Sequence, residues 1–128
     1  MNQKVLVVED DQVMAGLLTD KLAKKEMEVS YAVNGESCFK EIEKSVPDII
    51  LLDLILPGTS GFDILKKIKS DERTKATPVI VLSNLGSREE IQKGLELGAD
   101  AYLIKANVLI DEIIEKIQEV LQKKNPPR

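Results

Sequence analysis

Four short apolar runs punctuate the chain: Val5–Val8, Ile49–Leu52, Val79–Leu82 and Ala101–Ile104. The first three are unbroken stretches of Val, Ile and Leu, the composition of strands buried on both faces. A fifth run, Val29–Val33, alternates in character and reads as an edge strand. Between the runs the apolar spacing becomes helical. Val13, Met14, Leu17, Leu18 and Leu22 share one face, and Phe39 and Ile42 follow an Asn34 cap. Phe62, Leu65 and Ile68 follow Ser60-Gly61, and Ile91 and Leu95 follow Ser87-Arg88-Glu89-Glu90, which has capping-box spacing. The clearest helix carries Ile110, Ile113, Ile114, Ile117, Val120 and Leu121 on one stripe. Asn107 is its expected cap and Asn125-Pro126-Pro127 its expected stop. Strand and helix alternate five times, which implies a parallel sheet with helices on both faces.

The polar residues that interrupt this pattern fall at strand ends. Asp53 is one carboxylate among seven aliphatic residues in Ile-Ile-Leu-Leu-Asp-Leu-Ile-Leu-Pro-Gly, residues 49–58. An isolated charge in such surroundings is strongly disfavoured unless something pairs with it. An open parallel sheet gathers its ligands outside the carboxyl ends of its strands. There the chain offers Glu9-Asp10-Asp11, Asp53, Ser83-Asn84 and Lys105. Three carboxylates beside one ammonium leave excess negative charge, which a divalent cation such as Mg²⁺ would relieve. Asp53 then becomes a candidate nucleophile toward a phosphoryl group, with Ser83 and Lys105 as candidate contacts to its oxygens. Each residue also has a plainer reading. Asp10 or Asp11 can cap the helix that begins near Gln12, and Asp53 can bond turn N–H groups before Pro57. Ser83 can be a turn hydroxyl and Lys105 a solvated lysine. Tyr102 reads as a half-exposed edge aromatic, Lys66, Lys67 and Lys69 as a solvated helix face, and Cys38 as a small core residue. Their shared position at strand ends favours the joint reading for the acids, Ser83 and Lys105.

Composition narrows the function further. A chain of 128 residues suggests one domain, read as residues 1–124, with 125–128 a tail or the start of a linker. Net charge −4 argues against a nucleic-acid-binding surface. No apolar run is long enough to span a bilayer, acids follow the first apolar run at once, and Cys38 has no second cysteine to pair with, so the cytoplasm is expected. The chain has no histidine, which excludes a His-containing zinc site, a Ser-His-Asp triad and a phosphohistidine of its own.

Four segments together carry a resemblance: VLVVEDD at 5–11, IILLDLILPGTSG at 49–61, VIVLSN at 79–84, and GADAYLIK at 98–105. In this order they resemble the receiver domain of bacterial two-component response regulators over nearly the whole chain. The resemblance implies a flavodoxin-like, doubly wound five-stranded parallel sheet in the order 2-1-3-4-5. It implies Asp53 as phosphoacceptor, and Glu9, Asp10, Asp53 and the Ile55 carbonyl as Mg²⁺ ligands. It implies Ser83 as the switch hydroxyl, Lys105 as the partner of the phosphoryl group and Tyr102 as the switch aromatic. The implied donor is a phosphohistidine on a sensor kinase or phosphotransfer protein. The implied output is a change in the face built from the fourth helix, fifth strand and fifth helix, open to a dimer partner or effector. The chain would be no enzyme beyond its own phosphorylation and dephosphorylation.

Three positions depart from the family pattern. Ala106 stands where proline usually follows a cis peptide, so either a trans bond with a shifted loop or a strained cis bond is expected, the latter costing about 2.5–4 kcal/mol. Ile55 offers no side-chain hydrogen bond near the phosphoacceptor, so the pattern does not set the phosphoryl lifetime. Asn84 is larger than the residue common after the switch hydroxyl and either narrows access to Asp53 or adds a hydrogen bond. Other functions on the same fold fit less well. A flavin or nucleotide binder needs a Gly- or Ser/Thr-rich cradle where Glu9-Asp10-Asp11 stands. An Asp-nucleophile phosphatase needs an acid where Ile55 stands. Nothing in the sequence forces the last alternative, a receiver-like interaction module that is never phosphorylated, because the acids, Ser83 and Lys105 are all present; failure to bind Mg²⁺ would support it.

Overall fold

The computed structural model describes residues 2–124. Five strands alternate with five α-helices: β1 (Lys4–Val8), α1 (Gln12–Lys24), β2 (Glu28–Ala32), α2 (Gly35–Lys44), β3 (Ile49–Leu52), α3 (Gly61–Ser70), β4 (Val79–Ser83), α4 (Arg88–Glu96), β5 (Ala101–Ile104) and α5 (Ile110–Lys124). All pairings are parallel and the sheet order is β2-β1-β3-β4-β5. The flavodoxin-like α/β fold is therefore the one expected. No helix among the described residues is long and apolar enough to cross a membrane.

Alternate residues of each central strand point to opposite faces, and each face has its own core. Leu6, Val8, Ile50, Leu52, Val79 and Val81 meet Cys38 and Ile42 of α2 and Ile64, Leu65 and Ile68 of α3. Val5, Val7, Ile49, Leu51, Ile80 and Leu82 meet Leu18 and Leu22 of α1 and Ile113, Ile114, Ile117 and Leu121 of α5. This double burial is why the three central runs are continuous rather than alternating.

Helix starts follow local chemistry. Asp11 caps α1 by accepting from the N–H groups of Val13 and Met14, Asn34 forms a capping box with Ser37, and Ser87 forms one with Glu90. Four expectations need correction. Asn107 does not cap α5. It ends a 3₁₀ turn over Lys105–Asn107, and the Leu109 carbonyl accepts the first helical bond from Ile113 while its N–H donates to Glu112. Val13 and Leu17 are 74% and 48% exposed, so only part of the apolar α1 face is used. The edge strand ends at Ala32, one residue before the run suggested. Lys69 is no solvated lysine: its ammonium donates to the Thr77 carbonyl at 2.7 Å and pairs with Asp100. The expected stop at Asn125-Pro126-Pro127 lies outside the described residues.

Candidate functional site

Strand register sets the site. Val8 pairs with Leu52, so Glu9 and Asp53 leave the sheet side by side at its carboxyl edge. Their backbones stay tied to it: the Glu9 N–H donates to the Ala32 carbonyl at 2.9 Å and the Asp53 N–H to the Val8 carbonyl at 3.0 Å. Both side chains are buried, at 2% and 4% residue exposure. Backbone donors in the following turns orient them. The Ile55 N–H donates to Asp53 Oδ1 at 3.0 Å, and the Asp11 N–H to Glu9 Oε2 at 3.1 Å. Lys105, one residue past β5, closes the group. Its Nζ lies 2.7 Å from Asp53 Oδ2 and 2.6 Å from Glu9 Oε1.

The electrostatics follow from this burial. Desolvation pushes the Glu9 carboxyl up to about 7; the Lys105 ammonium and the Asp11 N–H oppose it, while the Asp53 charge adds to it. Burial works to lower the Lys105 pKa, but its hydrogen bonds to Asp53 and Glu9 prevail and leave it raised, so the ammonium stays charged. Glu9, Asp10 and Asp53 each present an oxygen within 4.8 Å of the others. Glu9 Oε1 is buried and is met by the Lys105 ammonium at 2.6 Å. An all-oxygen donor set of three clustered acids, with more negative charge than Lys105 alone offsets, fits a hard divalent cation. The acidic cluster can hold one.

The remaining candidates surround this centre without all touching it. Leu52 pairs with Val81 and Ser83 with Ile104, so Ser83 emerges one step beyond the level of Asp53 on the neighbouring strand. It is fully buried, and its Oγ accepts from the Leu85 N–H at 3.3 Å; no hydrogen bond among the described residues joins it to Asp53. Tyr102 is half-buried, and its hydroxyl donates to the Leu85 carbonyl in the same β4–α4 loop. Its ring lies where a Cβ on Gly94 of α4 would come within 3.0 Å. The Ile55 side chain is 53% exposed. No peptide bond among the described residues is cis, so Lys105-Ala106 takes the trans alternative. The Ala106 N–H donates to Asn84 Oδ1 at 3.1 Å, so Asn84 does add a hydrogen bond. Nothing in the local sequence pairs residues 84 and 106; only the adjacency of β4 and β5 does.

Known proteins resemble this chain in sequence and in fold. Residues 5–118 match the family described as response regulator receiver domain. The sensory transduction protein RegX3 of Mycolicibacterium smegmatis is 39% identical over 119 residues, which is 93% of this chain and 50% of that protein. Response regulator PleD of Caulobacter vibrioides is 37% identical over 114 residues, 89% of this chain and 24% of that protein. The chain thus spans a quarter to a half of the length of these relatives. A CheY-like receiver domain protein from Methanospirillum hungatei superposes with TM-score 0.90 at 26% identity, covering 98% of each chain.

Proposed function

The chain belongs to the response regulator receiver domains of two-component signalling, and from that premise we propose that it is a phosphorylation-controlled switch with Asp53 as phosphoacceptor. One observation carries the reading: Asp53 is buried at the sheet edge, with Lys105 on one oxygen and two further acids beside it. The Asp53 carboxylate attacks the phosphorus of a phosphohistidine on a sensor kinase or phosphotransfer protein. A P–O bond forms, the P–N bond breaks, and the departing imidazole takes up a proton from solvent. Return to the resting state is hydrolysis: water attacks phosphorus, the bond to Asp53 breaks, and inorganic phosphate leaves.

When held by Glu9, Asp10, Asp53 and the Ile55 carbonyl, Mg²⁺ supplies positive charge against the phosphoryl oxygens. The chain's own residues do the rest. The phosphoryl group carries roughly −1.5 to −2 charge where the carboxylate carried one, and it brings three acceptor oxygens. Lys105 already sits on an Asp53 oxygen and pairs with the new group. The Ser83 hydroxyl, which accepts from Leu85, turns its proton toward that group and draws the β4–α4 loop with it. Tyr102 is bonded to the same loop through Leu85 and follows, so the α4–β5–α5 face changes for a dimer partner or effector.

The test is intact-protein mass after acetyl phosphate treatment, with and without Mg²⁺, beside Asp53→Asn. One added phosphoryl group that needs both Mg²⁺ and Asp53 is expected. If no condition gives an adduct, and Mg²⁺ and beryllofluoride leave the amide spectra of Ser83 and Lys105 unchanged, the protein is a receiver-like interaction module instead.

A further inference from the structure

The β4–β5 ladder ends at Ser83 and Ile104. One step beyond, the two chains carry Asn84 and Lys105, and there the sheet's own pairing has stopped. A side chain continues it: Asn84 Oδ1 accepts the N–H of Ala106 at 3.1 Å, across 22 residues of sequence. This donor exists only because residue 106 is not proline, which has no N–H. The tie joins the residue after Ser83 to the residue after Lys105. It therefore bridges the two loops that carry the hydroxyl and the ammonium.

Between Ile104 in the ladder and Val108 against the core, the turn that carries Lys105 has few other backbone ties. Ala106 and Asn107 are exposed, and the turn over Lys105–Asn107 has no side-chain cap. Lys105 reaches Asp53 and Glu9 through a long flexible stem, and its backbone position decides whether Nζ can sit within 2.7 Å of both carboxylates. On the Ser83 side the loop has two further ties, Leu85 N–H to Ser83 Oγ and Tyr102 hydroxyl to the Leu85 carbonyl. Asn84 couples the Lys105 turn to this loop.

We propose that Asn84 is a positioning residue that, through the Ala106 N–H, holds the Lys105 ammonium in fixed relation to Ser83 over Asp53. This rests on the switch reading of the site. It concerns how Lys105 is placed rather than whether Asp53 is phosphorylated. Asn84 is exposed and outside both cores, so its replacement leaves the fold intact.

The experiment is a double-mutant cycle of Asn84→Ala, Ala106→Pro and the pair, on the full chain. Two quantities are read: the rate of phosphorylation by acetyl phosphate with Mg²⁺, and the NMR signal of the Lys105 ammonium in the unphosphorylated protein. Asn84→Ala alone is expected to slow phosphorylation roughly 3- to 10-fold, the worth of one neutral hydrogen bond, and to shift or broaden the Lys105 signal. In the Ala106→Pro background, where the donor is gone, Asn84→Ala has no further effect on either. An unchanged rate and signal in Asn84→Ala overturns the proposal. So does an equal loss in both backgrounds, because Asn84 would then act without the Ala106 N–H, for instance through access to Asp53. If the wild-type chain takes no phosphoryl group from acetyl phosphate, the rate reads nothing, and the Lys105 signal across the same four proteins decides whether Asn84 positions it.

Discussion

Gly61 opens α3 directly behind the loop that carries Asp53, and it has no room for a side chain. A Cβ there would lie 2.2 Å from the Leu54 Cα, 2.7 Å from its carbonyl oxygen and 2.8 Å from its carbonyl carbon. Carbon atoms settle about 3.5–4.0 Å apart, so Gly61→Ala must drive two backbone segments apart by roughly 1 Å or more. Neither is a flexible tip, and the Gly61 N–H already donates to the Leu54 carbonyl at 3.1 Å. Overpacking of this kind costs about 3 kcal/mol or more, a large share of the roughly 5–15 kcal/mol that holds a domain together. Two glycines serve as controls. Gly16, within α1, has no neighbouring atom within 4 Å of where a Cβ would stand, so Gly16→Ala should stabilise by about 0.5–1 kcal/mol through helix propensity. Gly58 also has open space but sits at φ +87, so Gly58→Ala should cost about 1–2 kcal/mol from backbone conformation alone. Urea unfolding of the three variants gives the ranking. A Gly61→Ala midpoint within error of the wild type, or above that of Gly58→Ala, would refute the steric account.

Three other expectations follow from single contacts. Lys105→Met removes the cation from two buried carboxylates, and in EDTA the fold should lose about 3 kcal/mol; added Mg²⁺ should restore part of it in the same urea titration. Cys38 is fully buried and its thiol is pushed by burial up to about 12, so a thiol reagent at pH 8 should label it only as fast as the protein unfolds. Labelling within seconds in native buffer would contradict that. Ser87→Ala removes the oxygen that accepts the Glu90 N–H at 3.1 Å and should cost about 1 kcal/mol by chemical denaturation.

The sheet could be read in the sequence because double burial leaves no polar residue inside its central strands, with Lys4 and Ser83 only at their ends. The acid centre could be read because parallel strands bring their carboxyl ends to one edge whatever the intervening sequence. What escapes reading depends on partners distant along the chain. The apolar positions of α1 cover about half the helix circumference, and nothing local says which part meets the sheet. The structure uses the side of Leu18 and Leu22 and leaves Val13 and Leu17 outside. Lys69 looks like its neighbours Lys66 and Lys67 until Asp100 and Thr77 are folded against it. Asn107 has cap chemistry, but the 3₁₀ turn after Lys105 moves the helix start to Leu109, where Glu112 supplies the acceptor. Asn84 and Ala106 each look like a local departure from a family pattern, yet they are two ends of one hydrogen bond.

Asp10 separates what the acidic centre costs from what it binds. It is exposed, offers an oxygen within 4.8 Å of those of Glu9 and Asp53, and has no ion pair among the described residues. At such separations, repulsion between two charges screened by water is about 1 kcal/mol per pair. Asp10→Asn should therefore stabilise the metal-free protein, by about 1 kcal/mol in EDTA and low salt, and less as salt rises. The sign also depends on pH. Folded Glu9 keeps its proton up to about 7, whereas the unfolded carboxyl releases it near 4.5. Its contribution to stability is complete below about 4.5 and is lost as pH climbs through about 7. At pH 5 Glu9 is neutral and the Lys105 ammonium offsets Asp53; at pH 8 Asp10 faces two carboxylates against that one ammonium. The gain from Asp10→Asn should be larger at pH 8. Mg²⁺ affinity should move the other way, because the same substitution removes a ligand and an attractive charge. Urea unfolding in EDTA at the two pH values, beside a Mg²⁺ titration, checks both signs. If Asp10→Asn destabilises the metal-free fold at pH 8, or leaves Mg²⁺ affinity unchanged, the three acids are not a repelling, cation-binding cluster, and their closeness has a purely structural cause.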